Sequence, residues 1–558
     1  MHHALLFEAK SIQSFLFDSG RLRDVIGASE LVDKLTNSSA RNSLLDHTLR
    51  ALGFREGSLE NGHDIDFSRR AGGSFYGFST KPEVIDNLAA LWTLTVQQYA
   101  PGLSYDIARG HGDTPLAAFD AAREAMRADA SRLRPPLPFT APIVQRSPRS
   151  GQAAVSLDRG DPCDVAVLRK RQAADLSGVG FLDRFAPPDA GLQWRDWPRN
   201  LESGDDDSFP YLGQDRTLAL IHADGNGLGQ LLRRAREAVR VRPDAFIDVF
   251  KAISEGIETS TQKAAQAATR QVLLPARANE GLLPARPILL GGDDMTILVR
   301  ADLALDFLQI FAQQFEAESR AIMADLNAKW KVGFPDHLTV GAGIVYQHAS
   351  QPFYLATNLV ESLTTDVAKR AAKATDAVTP PSSVALYRVT TSLVDDYDDM
   401  LERELTHQVI ENGDSIGYVD TLGAYALCDT KALPRLADLR DLQRLFQSDD
   451  MARGPTRNLL TLLGMSPDQA RMAYKRWRQL MRDNRASRLR QFDAIMQRLV
   501  QGWQSDAELP YGVLSTSAGR GLRHSPLGDV LALMAVNSLV GPDTSDDQAD
   551  PMLQERAA

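Results

Sequence analysis

Cysteine is nearly absent from this chain: Cys163 and Cys428 are the only two in 558 residues. A disulfide framework is thereby excluded, and so is a zinc module built from four thiolates. Two unlinked thiols point to a reducing compartment. No apolar run is long enough to cross a bilayer, and Glu8 and Lys10 interrupt the short apolar start that a secretory signal would need. A cytoplasmic protein without a membrane partner is the expectation. Basic charge is also in deficit, with 62 Lys and Arg against 72 Asp and Glu and a formal net charge of −10. That balance argues against nonspecific coating of nucleic acid, whose affinity comes from neutralising phosphates. Local contacts, or contacts made through partner subunits, remain compatible with it. The twelve-residue calcium loop pattern is missing. His63-Asp64 stands without the further His and Asp residues that a metal nuclease needs. The length suits three or four domains.

Against these absences, one tetrapeptide carries most of the information. Gly291-Gly292-Asp293-Asp294 lies between the apolar runs Arg286–Leu290 and Met295–Val299. Two short apolar runs joined by glycines and paired acids predict a β-hairpin that presents carboxylates at its tip. A tight hairpin without function also uses Gly and Asp, so a second feature has to decide. It lies upstream, where Thr217–Ala223 (TLALIHA) ends in Asp224-Gly225-Asn226-Gly227 and a helical pattern follows. A strand that ends in an acid, followed by glycines and a helix start, sets a carboxylate beside free backbone N–H groups. Such a carboxylate suits Mg²⁺ or Mn²⁺, and the N–H groups suit phosphate oxygens. The glycines let a triphosphate approach the main chain.

The surrounding pattern predicts strand 217–223, helix 243–270, strands 286–290 and 295–299, helix 303–330 and strand 338–346. That βαββαβ order is ferredoxin-like and can make the first strand and the central hairpin neighbours. Asp224, Asp293 and Asp294 would then be catalytic metal ligands, with Gly225, Asn226, Gly227, Gly291 and Gly292 binding nucleotide. The plan is written twice. Ala4–Ala9, a helix at Ser11–Phe15 continued at Gly27–Val32, Asp64–Arg69, Ser74–Ser79 and Leu103–Ala108 repeat it, with Ala71-Gly72-Gly73-Ser74 as the twin of the later turn. Aligned by their glycines, Ser74 replaces the first aspartate and Phe75 the second. Glu8 falls near the place of Asp224, and the first copy is expected not to hold two metals.

The motifs Ser11–Phe15, Leu22–Leu31, Gly72-Gly73, Asp224–Gly227 and Gly291–Asp294, in that order, resemble the large polymerase-like subunit of type III CRISPR effector complexes. The resemblance covers residues 1 to about 375 and implies two palm domains, the first degenerate. It further implies that the live palm converts ATP to cyclic oligoadenylate-type messengers when partner subunits hold guide and target RNA. If the chain acts alone, a homodimer is the alternative. Many such subunits begin with an HD nuclease domain and carry a four-cysteine zinc module. Here the first palm starts at residue 1 and the cysteines are too few, so DNA cleavage is not expected.

The remaining organisation follows from composition. The expected divisions are a degenerate palm at 1–133, a linker and small insert at 134–215, the second palm at 216–378, a helical domain at 379–540 and a flexible tail at 541–558. The fold class is therefore α+β, with two palms and a C-terminal helical domain. After the last palm strand, related palms place a lysine-bearing helix where ammonium groups meet the triphosphate. Lys369 and Lys373 fit that role, being spaced to share one helix face; an exposed solubilising face fits them as well. Residues 400–538 read as helical throughout. The basic stretch from Arg471 to Arg490 interleaves Tyr474 and Trp477. It suits RNA or an acidic subunit, or a solvated helix whose aromatic residues face the core, and the second is preferred.

Three functions are compatible with the motifs: an ATP-using nucleotidyltransferase, a diguanylate-cyclase-like enzyme on the same palm, and a scaffold that binds nucleotide or RNA without turnover. The first is preferred. The turn lacks the Gly-Gly-Asp-Glu-Phe form of diguanylate cyclases, and a palm released from catalysis would be expected to lose its acids as the first copy has.

Overall fold

The computed structural model describes residues 1–36, 42–130, 141, 143–158, 160–176, 182–201, 208–212, 216–278, 281–375, 377–390, 397–411, 414–448, 453–500, 503–513 and 522–537. The stretch 134–138, the acidic run 204–207 and the tail 541–558 lie outside these residues.

The N-terminal unit runs β1 (His2–Lys10), helices Ile12–Phe17, Leu22–Thr36 and Leu44–Leu52, β2 (Asp66–Ala71), β3 (Ser74–Ser79), helix Pro82–Tyr99, β4 (Ser104–Gly112) and helix Pro115–Ala130. Its sheet has the order β2-β3-β1-β4. A short insert follows, with β5 (Ser156–Asp158), β6 (Asp161–Cys163) and helix Val165–Leu176. The next unit runs β7 (Thr217–Gly225), helices Leu228–Val239 and Phe246–Ala268, β8 (Ala285–Gly291), β9 (Asp294–Arg300), helix Ala304–Trp330 and β10 (Val340–His348). Its sheet repeats the first order as β10-β7-β9-β8, and β11 (Ser383–Arg388) extends it parallel to β10.

The first strand of each unit lies at the centre of its sheet, which decides where its last residue points. In β7, Ala219, Ile221 and Ala223 pack into a core with Phe246, Phe250 and Phe311, while Leu218 and Leu220 face a second core with Leu359 and Leu363. Side chains alternate along a strand, and both faces are covered, so TLALIHA reads as an unbroken apolar run. Each such fully buried Leu or Ile stabilises the fold by roughly 1.5–3 kcal/mol relative to exposure. The same alternation sets Asp224 on the face of Leu218, Leu220 and His222.

The helical expectation for 400–538 needs correction. Helices Leu436–Gln447, Arg453–Met465, Pro467–Asn484, Ala486–Leu499 and Leu527–Asn537 are present. However, β12 (Thr406–Glu411), β13 (Asp414–Val419) and β15 (Leu522–His524) form a three-stranded sheet, and β14 (Ala424–Ala426) pairs with β11. β12 and β13 pair antiparallel from Thr406 opposite Val419 to Glu411 opposite Asp414, and this pairing outweighs the helical composition nearby. Tyr474 and Trp477 within the basic stretch and Phe492 just beyond it are buried, and Arg478 is bonded to Asp493 at 2.7 and 2.9 Å. The aromatic residues thus form the core side of these helices.

Candidate active site

The β8–β9 hairpin closes on the pair Gly291 and Asp294, leaving Gly292 and Asp293 as the two turn residues. Gly292 has φ +63°, the left-handed region that a Cβ disfavours, and its carbonyl accepts a 2.7 Å hydrogen bond from Thr261 Oγ1. On the other side, β9 pairs with β7 up to Met295 opposite Ala223, so the next residues along, Asp294 and Asp224, meet at the strand ends. Asp224, Asp293 and Asp294 each offer a carboxylate oxygen within 4.8 Å of the others, and all three are half-buried. Residues 69 positions apart in sequence therefore share one site, because the strand order makes β7 and β9 neighbours.

Glycines make the approach possible. A Cβ on Gly225 would lie 2.9 Å from Asp293 Oδ2, and one on Gly341 of β10 would lie 2.3 Å from Lys369 Cγ. Gly343, two residues on, leaves room for Val360 and Thr364. The helix Phe353–Ser362, its π-helical continuation Leu363–Lys369 and the last turn Arg370–Lys373 consequently lie close on the sheet. Lys369 Nζ donates to Asp224 Oδ2 and, at 2.9 Å, to the Gly225 carbonyl. Lys373, one turn further, is exposed. Gly227 has φ +71° and starts the helix Leu228–Val239. The Asn226 side-chain amide donates to Thr339 Oγ1 at 3.0 Å and to the Pro381 carbonyl at 3.4 Å, so it braces the loop against the start of β10.

The three acids titrate differently. Burial works against the Asp224 carboxylate, but the Lys369 charge and hydrogen bonds from Asp293 and Asp294 hold it below the usual carboxylate range. Burial, then the charge of Asp224, pushes Asp293 up to about 7. Burial and its two acidic neighbours push Asp294 up as well. A cluster of oxygen donors with surplus negative charge is what a hard divalent cation relieves, and the donor set fits Mg²⁺ or Mn²⁺. His222 next door is driven down to about 4 by burial and stays neutral, its Nδ1 3.0 Å from Thr296 Oγ1.

Two features escaped the sequence. A cleft of about 710 Å³ opens beside Gly292 and Asp293, between the two units, with Arg69, Arg123 and Arg127 on one wall and Arg233 and Arg236 on the other. These arginines come from three distant segments with no common motif; only the arginine-rich Arg233-Arg234-Ala235-Arg236 run hints at them. The second feature concerns the twin turn. In the first unit the closing pair is Ala71 and Ser74, so Gly72 and Gly73 are the turn residues. Matching by turn position, Gly73 corresponds to Asp293 and Ser74 to Asp294, which corrects the glycine-based alignment by one residue. Glu8 is opposite Ser74 in register, as Asp224 is next to Asp294. The two turns also touch: a Cβ on Gly291 would be 3.2 Å from Gly72 Cα.

A comparison of the sequence with protein families matches residues 217–379 to the family described as Cas10/Cmr2, second palm domain. No curated protein matches the chain. Among solved structures, Csm1 of T. onnurineus aligns at 13% identity over 96% of this chain and 69% of its own, with TM-score 0.47. The Csm1–Csm4 cassette in complex with one ATP gives 13% identity, 96% and 70% coverage and TM-score 0.47. The same cassette in complex with cA4 gives 13%, 96%, 69% and 0.46. The acids, the hairpin and the lysine helix all fall inside the matched segment, which is similar to the second palm domain of Cas10/Cmr2.

Proposed function

We propose that the chain is a metal-dependent nucleotidyltransferase that joins ATP into a cyclic or linear oligoadenylate messenger within a type III CRISPR-like assembly. The observation that carries this is the convergence of Asp224, Asp293 and Asp294 within 4.8 Å beside the arginine-lined cleft. The Csm1 structures in complex with ATP and with cA4 support ATP as the substrate class. Those with Csm4 support another CRISPR subunit as a partner, and guide and target RNA are proposed alongside it. No helix among the described residues is long and apolar enough to cross a membrane.

Asp224, Asp293 and Asp294 would hold Mg²⁺ or Mn²⁺. When bound, the divalent ions lower the pKa of the attacking ribose hydroxyl and neutralise the departing pyrophosphate. The protein's own part is placement. Gly292 and Gly225 keep side chains out of the space in front of the acids, so the α-phosphate can come within in-line reach of a second nucleotide's hydroxyl. The hydroxyl oxygen bonds to phosphorus, pyrophosphate leaves, and the hydroxyl proton passes to solvent. Lys369 pairs with Asp224 in this structure and would have a phosphate oxygen as its partner if that carboxylate held a cation. Arg69 and Arg233 hold no ion pair among the described residues and line the cleft where triphosphate charge accumulates.

Purified protein, alone and with its RNA-bound partners, is expected to release pyrophosphate from ATP with Mg²⁺ or Mn²⁺, and Asp293→Ala is expected to abolish that release. Pyrophosphate release that Asp293→Ala leaves intact would place the chemistry elsewhere.

A further inference from the structure

The small insert contributes one side chain that touches both palms. Arg184, at the end of the turn Leu182–Arg184, is buried between helix Leu22–Thr36 of the first palm and helix Phe246–Ala268 of the second. Its guanidinium pairs with Asp33 on the first helix and lies 3.6 Å from Glu258 on the second. Each of these helices also grips the catalytic hairpin. Ser29, one turn before Asp33, donates its hydroxyl to the Ile288 carbonyl on β8. Thr261, one turn after Glu258, donates to the Gly292 carbonyl at 2.7 Å. Residues three or four apart share a helix face, so each acid sits above the hydroxyl that holds the hairpin.

We infer that Arg184 is a positioning residue for the metal-binding turn, acting through Asp33 and Ser29 on one side and Glu258 and Thr261 on the other. The guanidinium fixes the separation of the two helices, and the helices fix the strand and the turn that present Asp293. A planar fork with donors on several edges can satisfy two carboxylates at once, which a lysine ammonium cannot do in the same geometry. A small cavity of about 20 Å³ lies where these parts meet, lined by Asp33, Arg184, Glu258 and Gly72 as well as Leu290 and Gly291. The linkage thus reaches the point where the two turns abut. This inference rests on the nucleotidyltransferase reading for its kinetic readout alone.

The test uses the full chain and two readouts. Mn²⁺ affinity is measured by electron paramagnetic resonance, and pyrophosphate release from ATP by steady-state kinetics, for wild type, Arg184→Lys, Arg184→Gln and Thr261→Val. Removal of an outer partner of a metal site costs roughly 10–100-fold in metal affinity or activity. Arg184→Gln is expected to weaken Mn²⁺ binding about 10-fold and to lower kcat by a similar factor with KM for ATP within about 2-fold. Arg184→Lys should recover only part of the loss. Thr261→Val removes one hydroxyl while leaving the buried acids paired, so it should fold and show the same kcat-selective defect more weakly. Wild-type Mn²⁺ affinity and kcat in both Arg184→Gln and Thr261→Val would overturn the inference. If wild type binds Mn²⁺ but releases no pyrophosphate, the enzymatic reading falls, and the Mn²⁺ titrations alone still decide the role of Arg184.

Discussion

The two palms share strand order, turn placement and even an acid–cation pair, yet only one of them gathers charge. In the first, Glu8 accepts from Lys10 Nζ at 2.5 Å, Tyr76 OH at 2.5 Å and Arg123 Nη1 at 2.6 Å. In the second, Asp224 pairs with Lys369 and still faces two more carboxylates. Arg123 and Lys369 come from equivalent places, the helix after the last sheet strand, and in both palms glycines on that strand let the helix approach. Gly110 and Gly112 do this for Ala118 and Ala122 as Gly341 and Gly343 do for Thr364 and Lys369. The frame that positions an acid is therefore separable from the acids proposed to bind metal. In the first palm the Glu8 carboxylate is matched by cations of the protein, whereas in the second three carboxylates cluster around one lysine partner, Lys369.

The two turns also differ in their backbone. Gly72 and Gly73 both have positive φ, +59° and +71°, whereas of the two residues in the β8–β9 turn Gly292 alone does. Position 73 favours glycine, because an aspartate there would enter the left-handed region at a cost of up to roughly 1–2 kcal/mol. It would also crowd Ala9, whose Cβ lies 3.2 Å from the place of the added carbon.

The sharpest way to break the contrast is to delete the equivalent strand-end acids. Asp224→Ala should reduce pyrophosphate release from ATP by more than the roughly 100-fold that losing an outer-shell partner costs. Glu8→Ala should leave kcat within about 3-fold, as for a residue that only shapes one wall of the cleft. Comparable losses in the two variants would make both palms catalytic.

A smaller effect has opposite sign in the two palms and is read in stability. With metal chelated at pH 8, Asp293→Asn should stabilise the protein by roughly 1–3 kcal/mol, since it removes a half-buried charge held among other acids. Glu8→Gln should destabilise it by roughly 1–3 kcal/mol, the scale of hydrogen bonds to a charged group. Denaturant midpoints measure both.

The smallest effect is a pH dependence. Burial opposes ionisation of Glu8, but the hydrogen bonds from Lys10 and Tyr76 and the Arg123 charge lower its pKa below 4.5. The folded state thus binds this proton less readily than the unfolded chain. Its stabilisation is present above about pH 4.5 and is lost as pH falls through the lower folded value. The stability gap between wild type and Glu8→Gln should narrow below pH 4.5; a gap constant down to pH 3 would mean the carboxylate charge contributes nothing.

How much of this was readable from sequence varies with the range of the interaction. TLALIHA followed by Asp224, and two apolar runs around Gly291–Asp294, are local patterns, and the strands lie where those patterns put them. The meeting of Asp224 with Asp293 needed only the order of elements. The first-palm turn was misaligned by one residue because glycines were matched instead of closing strand pairs, and which residues close a turn depends on backbone dihedrals that Gly-Gly leaves open. The β12–β13 hairpin was missed although Asn412-Gly413 marked it, since the charged Asp395–Glu404 segment and the long helices beyond dominated that region. The arginine cleft and the Arg184 linkage bring together side chains from segments with no shared periodicity, and such contacts appear only once the two palms are packed.

Crystals grown with Mn²⁺ and a non-hydrolysable ATP analogue give the most direct test of the contrast, through anomalous scattering at the manganese edge. The expected result is manganese bound by Asp224, Asp293 and Asp294 and no peak at Glu8. A peak at Glu8, or none at the three aspartates, would contradict the division of labour between the palms.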